Sequence, residues 1–192
     1  MLTDSELIDQ VVREKNNHAF STLVKRHQQA VRYSLRQLTG WNEALADDLS
    51  QEVFLKAYLA LPGFKREAKF TTWLYRIAYN VFISHQRKPQ YALDRQADTG
   101  TMVEEQTGES GLSHTTDTDL HRDLALAMQT LPVQQRSALH LYLHRQYTQQ
   151  EISMIMGIPL GTVKTFINRG RAVLQEKLAA WQDGDYDAQT IA

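Results

Sequence analysis

Apolar positions return every three to four residues through most of this chain, and nowhere do they alternate over a run long enough for a strand. Phe20, Leu23, Val24, Val31 and Leu35 mark one side of a helix predicted from about His18 to Leu38. Leu45, Leu49, Val53 and Tyr58 fall near one face of another, capped by Asn42 and continuing to about Leu61. Turn residues separate these runs. Thr3 and Glu6 form a capping box that starts a short first helix over Asp4 to Lys15. Thr39, Gly40 and Trp41 break the second helix, and Pro62-Gly63 stops the third. A loop, Phe64 to Lys69, then leads to a helix from about Phe70 to Arg87. Pro89 should end it, because the residue before a proline is pushed out of the helical region.

Residues 90–118 are rich in Thr, Gly, Ser and acids and show no period, which is the composition of a linker. Helical spacing resumes over about 119–130 and, after Pro132, over 133–145. The next stretch, YTQQEISMIMGIPLGTVKTFINRGRAVLQEK, reads as two helices with a tight turn between them. Thr148 and Glu151 form a second capping box, and Ile152, Ile155 and Met156 give the helix an apolar side. Gly157 closes it, since glycine takes the left-handed conformation without a Cβ penalty. Pro159 is tolerated at the start of the next helix. That helix turns Val163, Ile167 and Leu174 toward a core, and Lys164, Thr165, Asn168, Arg169 and Arg171 elsewhere. A short basic helix after such a turn is the geometry that enters a DNA major groove; a helical hairpin with a solvated basic face is the plainer reading. The expected fold class is all-α: two small helical domains, with a helix-turn-helix in the second, joined by a flexible acidic linker.

Charge sharpens the division. The whole chain carries a formal net charge of only −1, but residues 1–90 carry +4, residues 91–118 carry −5, and residues 119–192 sum to zero. Leu160 to Leu178 carries +3, and the tail after Trp181 is acidic. A global value conceals this sorting. The chain has no cysteine, which excludes disulfides and thiolate metal sites. No apolar run approaches the roughly 20 residues that span a bilayer. The acidic, helix-capped start lacks the pattern of a secretion signal, so a cytoplasmic location is expected.

Two segments of the first domain carry candidate chemistry. In LADDLSQEVFLKAYLAL a core stripe adjoins a crowded polar face of Asp47, Asp48, Gln51 and Glu52, with Phe54 and Leu55 at its edge. Such a face is either solvated or a docking surface for another protein. In FKREAKFTTWLYRIAYNVFISHQRK aromatic residues alternate with Lys65, Arg66, Lys69, Arg76, Arg87 and Lys88. Basic groups track a phosphate backbone and aromatic faces stack on exposed bases, at about 1–3 kcal/mol per base. Unstacking a base costs a few kcal/mol, so several such contacts suffice to hold a short segment open. Trp73, Ile77 and Phe82 read as core. Phe64, in a loop, and Asn80, polar within an aromatic helix, read as functional.

Together these segments resemble a bacterial RNA polymerase sigma factor of the extracytoplasmic-function group. DDLSQEVFLKAY resembles the polymerase-clamp helix of region 2 and FTTWLYRIAYN its promoter-melting helix. LPVQQRSALHLYLHRQYTQQEISMIMGIPLGTVKTFINRGRAVL resembles region 4. The three stand in the family's order over roughly 150 residues, and region 3 of larger sigma factors is missing, as in this group. The resemblance implies region 2 over residues 1–90, a linker over 91–118, region 4 over 119–182 and an acidic tail over 183–192. It implies that Asp48, Gln51, Glu52 and Phe54 lie against the coiled coil of the polymerase largest subunit. Phe64, Lys69, Arg76 and Asn80 would engage the −10 element, with a base flipped near Phe64 and Asn80. Lys164, Thr165 and Asn168 would read the −35 element, and Arg136, Arg169 and Arg171 would meet phosphates. Core RNA polymerase, promoter DNA and an anti-sigma factor are the implied partners, with no cofactor, no metal, no catalytic residue and no membrane insertion of this chain. Three positions depart from the family pattern: Phe166 in place of a frequent arginine, Pro159 in place of a capping serine, and Arg145-Gln146 in place of an acidic-glycine turn.

Two rival readings have identifiable features. His140 and His144, four apart on a predicted helix, suit a shared metal, but no HExxH pattern or third ligand accompanies them. A single helix-turn-helix also serves repressors and activators, which bind an operator without a polymerase.

Overall fold

The computed structural model describes residues 2–93 and 116–179. Among the described residues there is no strand. Helices α1 (Asp4–Glu14), α2 (Asn17–Leu38), α3 (Glu43–Ala60) and α4 (Phe70–Leu93) form a first bundle, with a short 3-10 turn at Leu61–Gly63. Helices α5 (Thr116–Gln129), α6 (Val133–Leu143), α7 (Gln149–Met156) and α8 (Leu160–Lys177) form a second. The bulk of the expected linker and all of the acidic tail lie outside the described residues.

Local chemistry sets most boundaries. The Thr3–Glu6 box starts α1, with Thr3 N–H donating to Glu6 Oε2 at 2.7 Å. Lys15, at φ 52, turns the chain in the left-handed region and ends α1 one residue short of the expected limit. Asn16 caps α2 by accepting from the amides of His18 and Ala19, and Asn42 caps α3 by accepting from Leu45 N–H at 3.0 Å. Gly40 and Trp41, both at positive φ, make the sharp break between α2 and α3.

Pro89 does not end α4, contrary to the expectation; the helix continues to Leu93. A proline removes one intrahelical hydrogen bond and crowds one carbonyl. At about 3 kcal/mol this is unfavourable, but the backbone on either side can stay helical. Helix α5 likewise begins at Thr116, three residues before the expected start at 119.

The first core is built from Leu7, Leu23, Val31, Leu35, Leu49, Val53, Leu61, Leu74 and Phe82. Full burial of a ring such as Phe82 contributes about 2–3 kcal/mol. The second core holds Leu131, Leu139, Ile152, Ile155, Val163, Ile167 and Leu174, and it also takes in Tyr75 and Tyr79 from α4. Helix α4 therefore serves both cores: one side closes the first bundle, and its tyrosine side receives α6 and α7.

Polar contacts fix Tyr75 on α2, and others cross from the second bundle to the first. Tyr75 O–H donates to the Ala30 carbonyl at 3.0 Å, so Ser34, 3.1 Å away, donates its own proton to Tyr75. The Arg145 guanidinium lies 5.0 Å over the Tyr75 ring, and Tyr147 meets the same ring edge-on at 5.4 Å. Gln129 Nε2 donates across the seam to the Gln37 carbonyl at 2.9 Å.

Candidate polymerase and nucleic-acid interfaces

Helix α3 presents the first candidate surface. Its buried side carries Ala46, Leu49, Ser50, Val53 and Ala57, which leaves Asp48 and Gln51 exposed and Glu52 partly so. Asp47, the other acid of the pair, is turned to α2: the Arg32 guanidinium grips both carboxylate oxygens and holds the carboxyl below the usual range. Glu52 Oε1 lies 2.7 Å from Lys56 Nζ one turn on. Phe54 is half-buried and packs on the first core, so only part of its ring is available to a partner. Leu55 at 61% exposure and Leu59 at 69% extend this face as an apolar edge. The sequence reading singled out Leu55 and missed Leu59, although the spacing of four between them was a legible signal.

The second surface gathers around the loop before α4. Phe64 stacks at a tilt on Trp73, with ring centroids 5.0 Å apart, and meets Phe70 at 6.0 Å. Beside them is a recess of about 470 Å³ lined by Phe64, Lys65, Arg66, Trp73 and Arg76 on one side. Ser153, Met154 and Gly157, from α7 and its end, form the opposite wall. Arg76 and Asn80 are exposed one turn apart on α4. The recess brings Phe64 and Arg76 together; Lys69 and Asn80 stand outside it. Lys69 Nζ lies 3.6 Å from Glu151 Oε1, the carboxylate that also caps α7.

The third surface is α8. Thr148 and Glu151 cap α7, Gly157 ends it at φ 66, and Ser153 Oγ donates to the Ile158 carbonyl at 2.6 Å to staple the turn. Pro159 stands at the N-cap of α8 without a side-chain hydrogen bond. Val163, Ile167, Gly170 and Leu174 are buried. Lys164, Thr165, Asn168, Arg169 and Arg171 are all exposed on the remaining sides. Thr165 spends its hydroxyl proton on the Gly161 carbonyl at 3.0 Å. Phe166, which departs from the family pattern, is partly buried and packs against the second core.

Arg136 and His140 both lie in the interior, the first contrary to the role the resemblance implied and the second in keeping with a core histidine. Arg136, assigned to a phosphate, is 7% exposed. It donates to Gln129 Oε1 at 2.5 Å, and desolvation pushes its pKa down. In this arrangement it cannot reach DNA; it fixes Gln129, which bonds Gln37 across the seam. His140 is wholly buried and stacks on His144 at 5.2 Å, so it is a core histidine facing α2 and α4.

Comparison with known proteins agrees with this layout. A model of Sigma-70 region 2 matches residues 23–90, and a model of Sigma-70 region 4 matches residues 121–174. The ECF RNA polymerase sigma factor SigW of Bacillus subtilis is 31% identical over 174 residues, covering 87% of this chain and 92% of that protein. The ECF RNA polymerase sigma-E factor of Haemophilus influenzae is 32% identical over 187 residues, covering 92% and 96%. Among solved structures, CnrH in complex with the cytosolic domain of CnrY is similar at a TM-score of 0.64 and 25% identity, over 95% of this chain and 99% of that one. The sigma factor RpoE of Bartonella quintana, solved with the anti-sigma factor NepR, shares the fold at a TM-score of 0.66 and 24% identity, over 83% and 96%. With both family regions matched in order on two helical bundles, and relatives of this identity aligned over nearly their full length, the chain belongs to the sigma-70 family, in its extracytoplasmic-function group.

Proposed function

We propose that the chain is the promoter-specificity subunit of a bacterial RNA polymerase. The first bundle docks on the core enzyme through Asp48, Gln51, Glu52 and Phe54, with Leu55 and Leu59 as the apolar edge of that contact. Phe64, Lys69, Arg76 and Asn80 engage the −10 element as single-stranded DNA. In the second bundle Lys164, Thr165 and Asn168 read the −35 duplex, while Arg169 and Arg171 position it on phosphates. Arg136 joins them only if its side chain turns away from Gln129. No step in this role needs a reactive side chain, so the work is binding and strand separation rather than catalysis. Domain limits at residues 1–90 and 119–182, with the linker between them, are part of the same proposal.

One observation carries the reading: region 2 and region 4 matches stand in order on one chain, with an exposed basic helix in the second. An operator-binding regulator with one helix-turn-helix leaves residues 23–90 without a part to play. Among the described residues no helix is long and apolar enough to cross a membrane, and the proposed role places the chain in the cytoplasm beside polymerase. CnrH was solved with a second protein bound; the proposal includes an anti-sigma partner that covers these faces here.

The test is reconstitution. The purified chain is added to core polymerase and run-off transcription is mapped across the genomic DNA of its own bacterium. Starts that depend on the chain, and that share −35 and −10 sequences, support the proposal. Binding to DNA without polymerase, and no dependent starts, would replace it with the regulator.

A further inference from the structure

Helix α1 precedes the segment matched by the region 2 model, which begins at residue 23, so the match gives it no part. It is nevertheless firmly set. Leu7, Ile8 and Val11 are buried, and Asp4 ties it to α2 by accepting from the Arg26 guanidinium and lying 2.9 Å from His27 Nε2. This anchored helix reaches the loop over residues 64–69. Arg66 Nη2 donates to Asp9 Oδ1 at 2.8 Å, and Nη1 donates to Asp9 Oδ2 at 3.3 Å and to Ser5 Oγ at 2.9 Å. The Arg66 backbone sits at φ 60, in the left-handed region that a Cβ disfavours. A loop keeps such a conformation when contacts outside it over-determine the geometry. The fork to α1 is that contact, and Phe64 and Lys69 flank it in sequence.

We propose that Arg66 and Asp9 form a brace through which α1 sets the shape of the −10 loop, Arg66 being a positioning residue rather than a DNA contact. This rests on the −10 role given above to Phe64 and Lys69. The alternative use of Arg66, as a cation on phosphate, competes with a guanidinium that already spends three of its five N–H donors on a carboxylate and a hydroxyl, whereas the neighbouring Lys65 is exposed.

The two uses predict opposite signs for Asp9→Asn. If Arg66 serves as a phosphate cation, removing the carboxylate frees it and leaves DNA binding equal or tighter. If it is a brace, the variant loosens the loop and discrimination falls. The experiment uses full-length chain bound to core polymerase and fork-junction DNA carrying either the −10 sequence mapped by run-off transcription or a scrambled one. Wild type, Asp9→Asn and Arg66→Lys, which keeps the charge without the fork, are compared. Both variants should lose about threefold to fivefold in preference for the mapped −10 sequence, the scale of one exposed ion pair, with −35 duplex binding unchanged. In the free chain, hydrogen–deuterium exchange over residues 64–69 should rise in both. Unchanged exchange in folded variants overturns the brace. Raised exchange with unaltered discrimination overturns its link to −10 reading. A wild type that itself shows no −10 preference instead defeats the functional reading of the loop, and the exchange result still decides whether the brace exists.

Discussion

Acidifying the protein should loosen the seam between its two bundles, and His140 should account for most of the effect below neutrality. Its side chain has no exposure, and neither ring nitrogen has a hydrogen-bond partner. Its surroundings come from both bundles: Leu35 and Leu38 of α2, Tyr75, Ala78 and Tyr79 of α4, and Ser137 and Leu141 beside it on α6. The titratable groups facing it are the two tyrosines, which burial keeps neutral by pushing their pKa up, together with His144 and Arg145. None of these is a carboxylate that would stabilise an imidazolium. Burial, followed by the positive neighbours, lowers the His140 pKa from 6.5 to about 3. Above pH 6.5 the ring is neutral whether the seam is closed or open, and the closed form loses nothing. Below that value an opened chain takes up a proton that the closed chain refuses. The closed form then loses about 1.4 kcal/mol per pH unit, or about 2 kcal/mol by pH 5. Glu6, Asp9, Asp47 and Glu151 all have lowered pKa values, so their contributions fade only at more acid pH. The chain has no cysteine, so a pair introduced at the exposed Gln51 and Gln175 accepts dyes at those two sites only. Energy transfer between the dyes should fall from about pH 7.5 to about pH 5 in the native sequence. In His140→Leu, which fills the site without titrating, it should hold nearly constant. Parallel curves for the two proteins would refute the reasoning, and so would a native distance indifferent to pH.

Other outcomes follow from single side chains. Lys164→Ala should cost about 1–3 kcal/mol at one −35 base position, and run-off transcription from promoters substituted at −35 tests it; an unchanged preference speaks against base contact. Asn80→Ala should slow promoter opening, followed by permanganate reactivity of unpaired thymines, while polymerase affinity in a pull-down stays level. A Cβ on Gly170 would stand 3.0 Å from Leu139 Cδ2, where α8 crosses α6. Gly170→Val should therefore cost about 1–3 kcal/mol from overpacking; a urea unfolding midpoint equal to the native one would contradict that.

Much of the architecture was legible because local chemistry decided it. The two capping boxes and the Asn42 cap act over three residues, and each starts its helix where the spacing placed it. The apolar sides of α7 and α8 bury Ile152, Ile155, Val163 and Ile167 as periodicity required. Pro89 misled for the opposite reason. Its local penalty is real, but it is one bond against a helix of 24 residues.

Pairings distant in sequence were not legible. Tyr75 and Tyr79 look like any aromatic residues on a melting helix, and nothing near them announces that Arg145 and Tyr147 will cover Tyr75. Arg136 reads as a phosphate contact from the resemblance alone; nothing near it in sequence announces that it is buried and bonded to Gln129. The seam between the bundles, which Tyr75 and Gln129 help to form, bears directly on the candidate site. Lys69, proposed for the −10 strand, faces Glu151, and α7 forms a wall of the recess beside Phe64 and Arg76. The recess that the proposal gives to the −10 strand is thus bordered by α7, whereas the proposed −35 face of α8 is exposed in the same arrangement. The two proposed promoter contacts therefore differ in their surroundings: the duplex-reading face belongs to the second bundle alone, while the strand-binding recess is shared between both bundles.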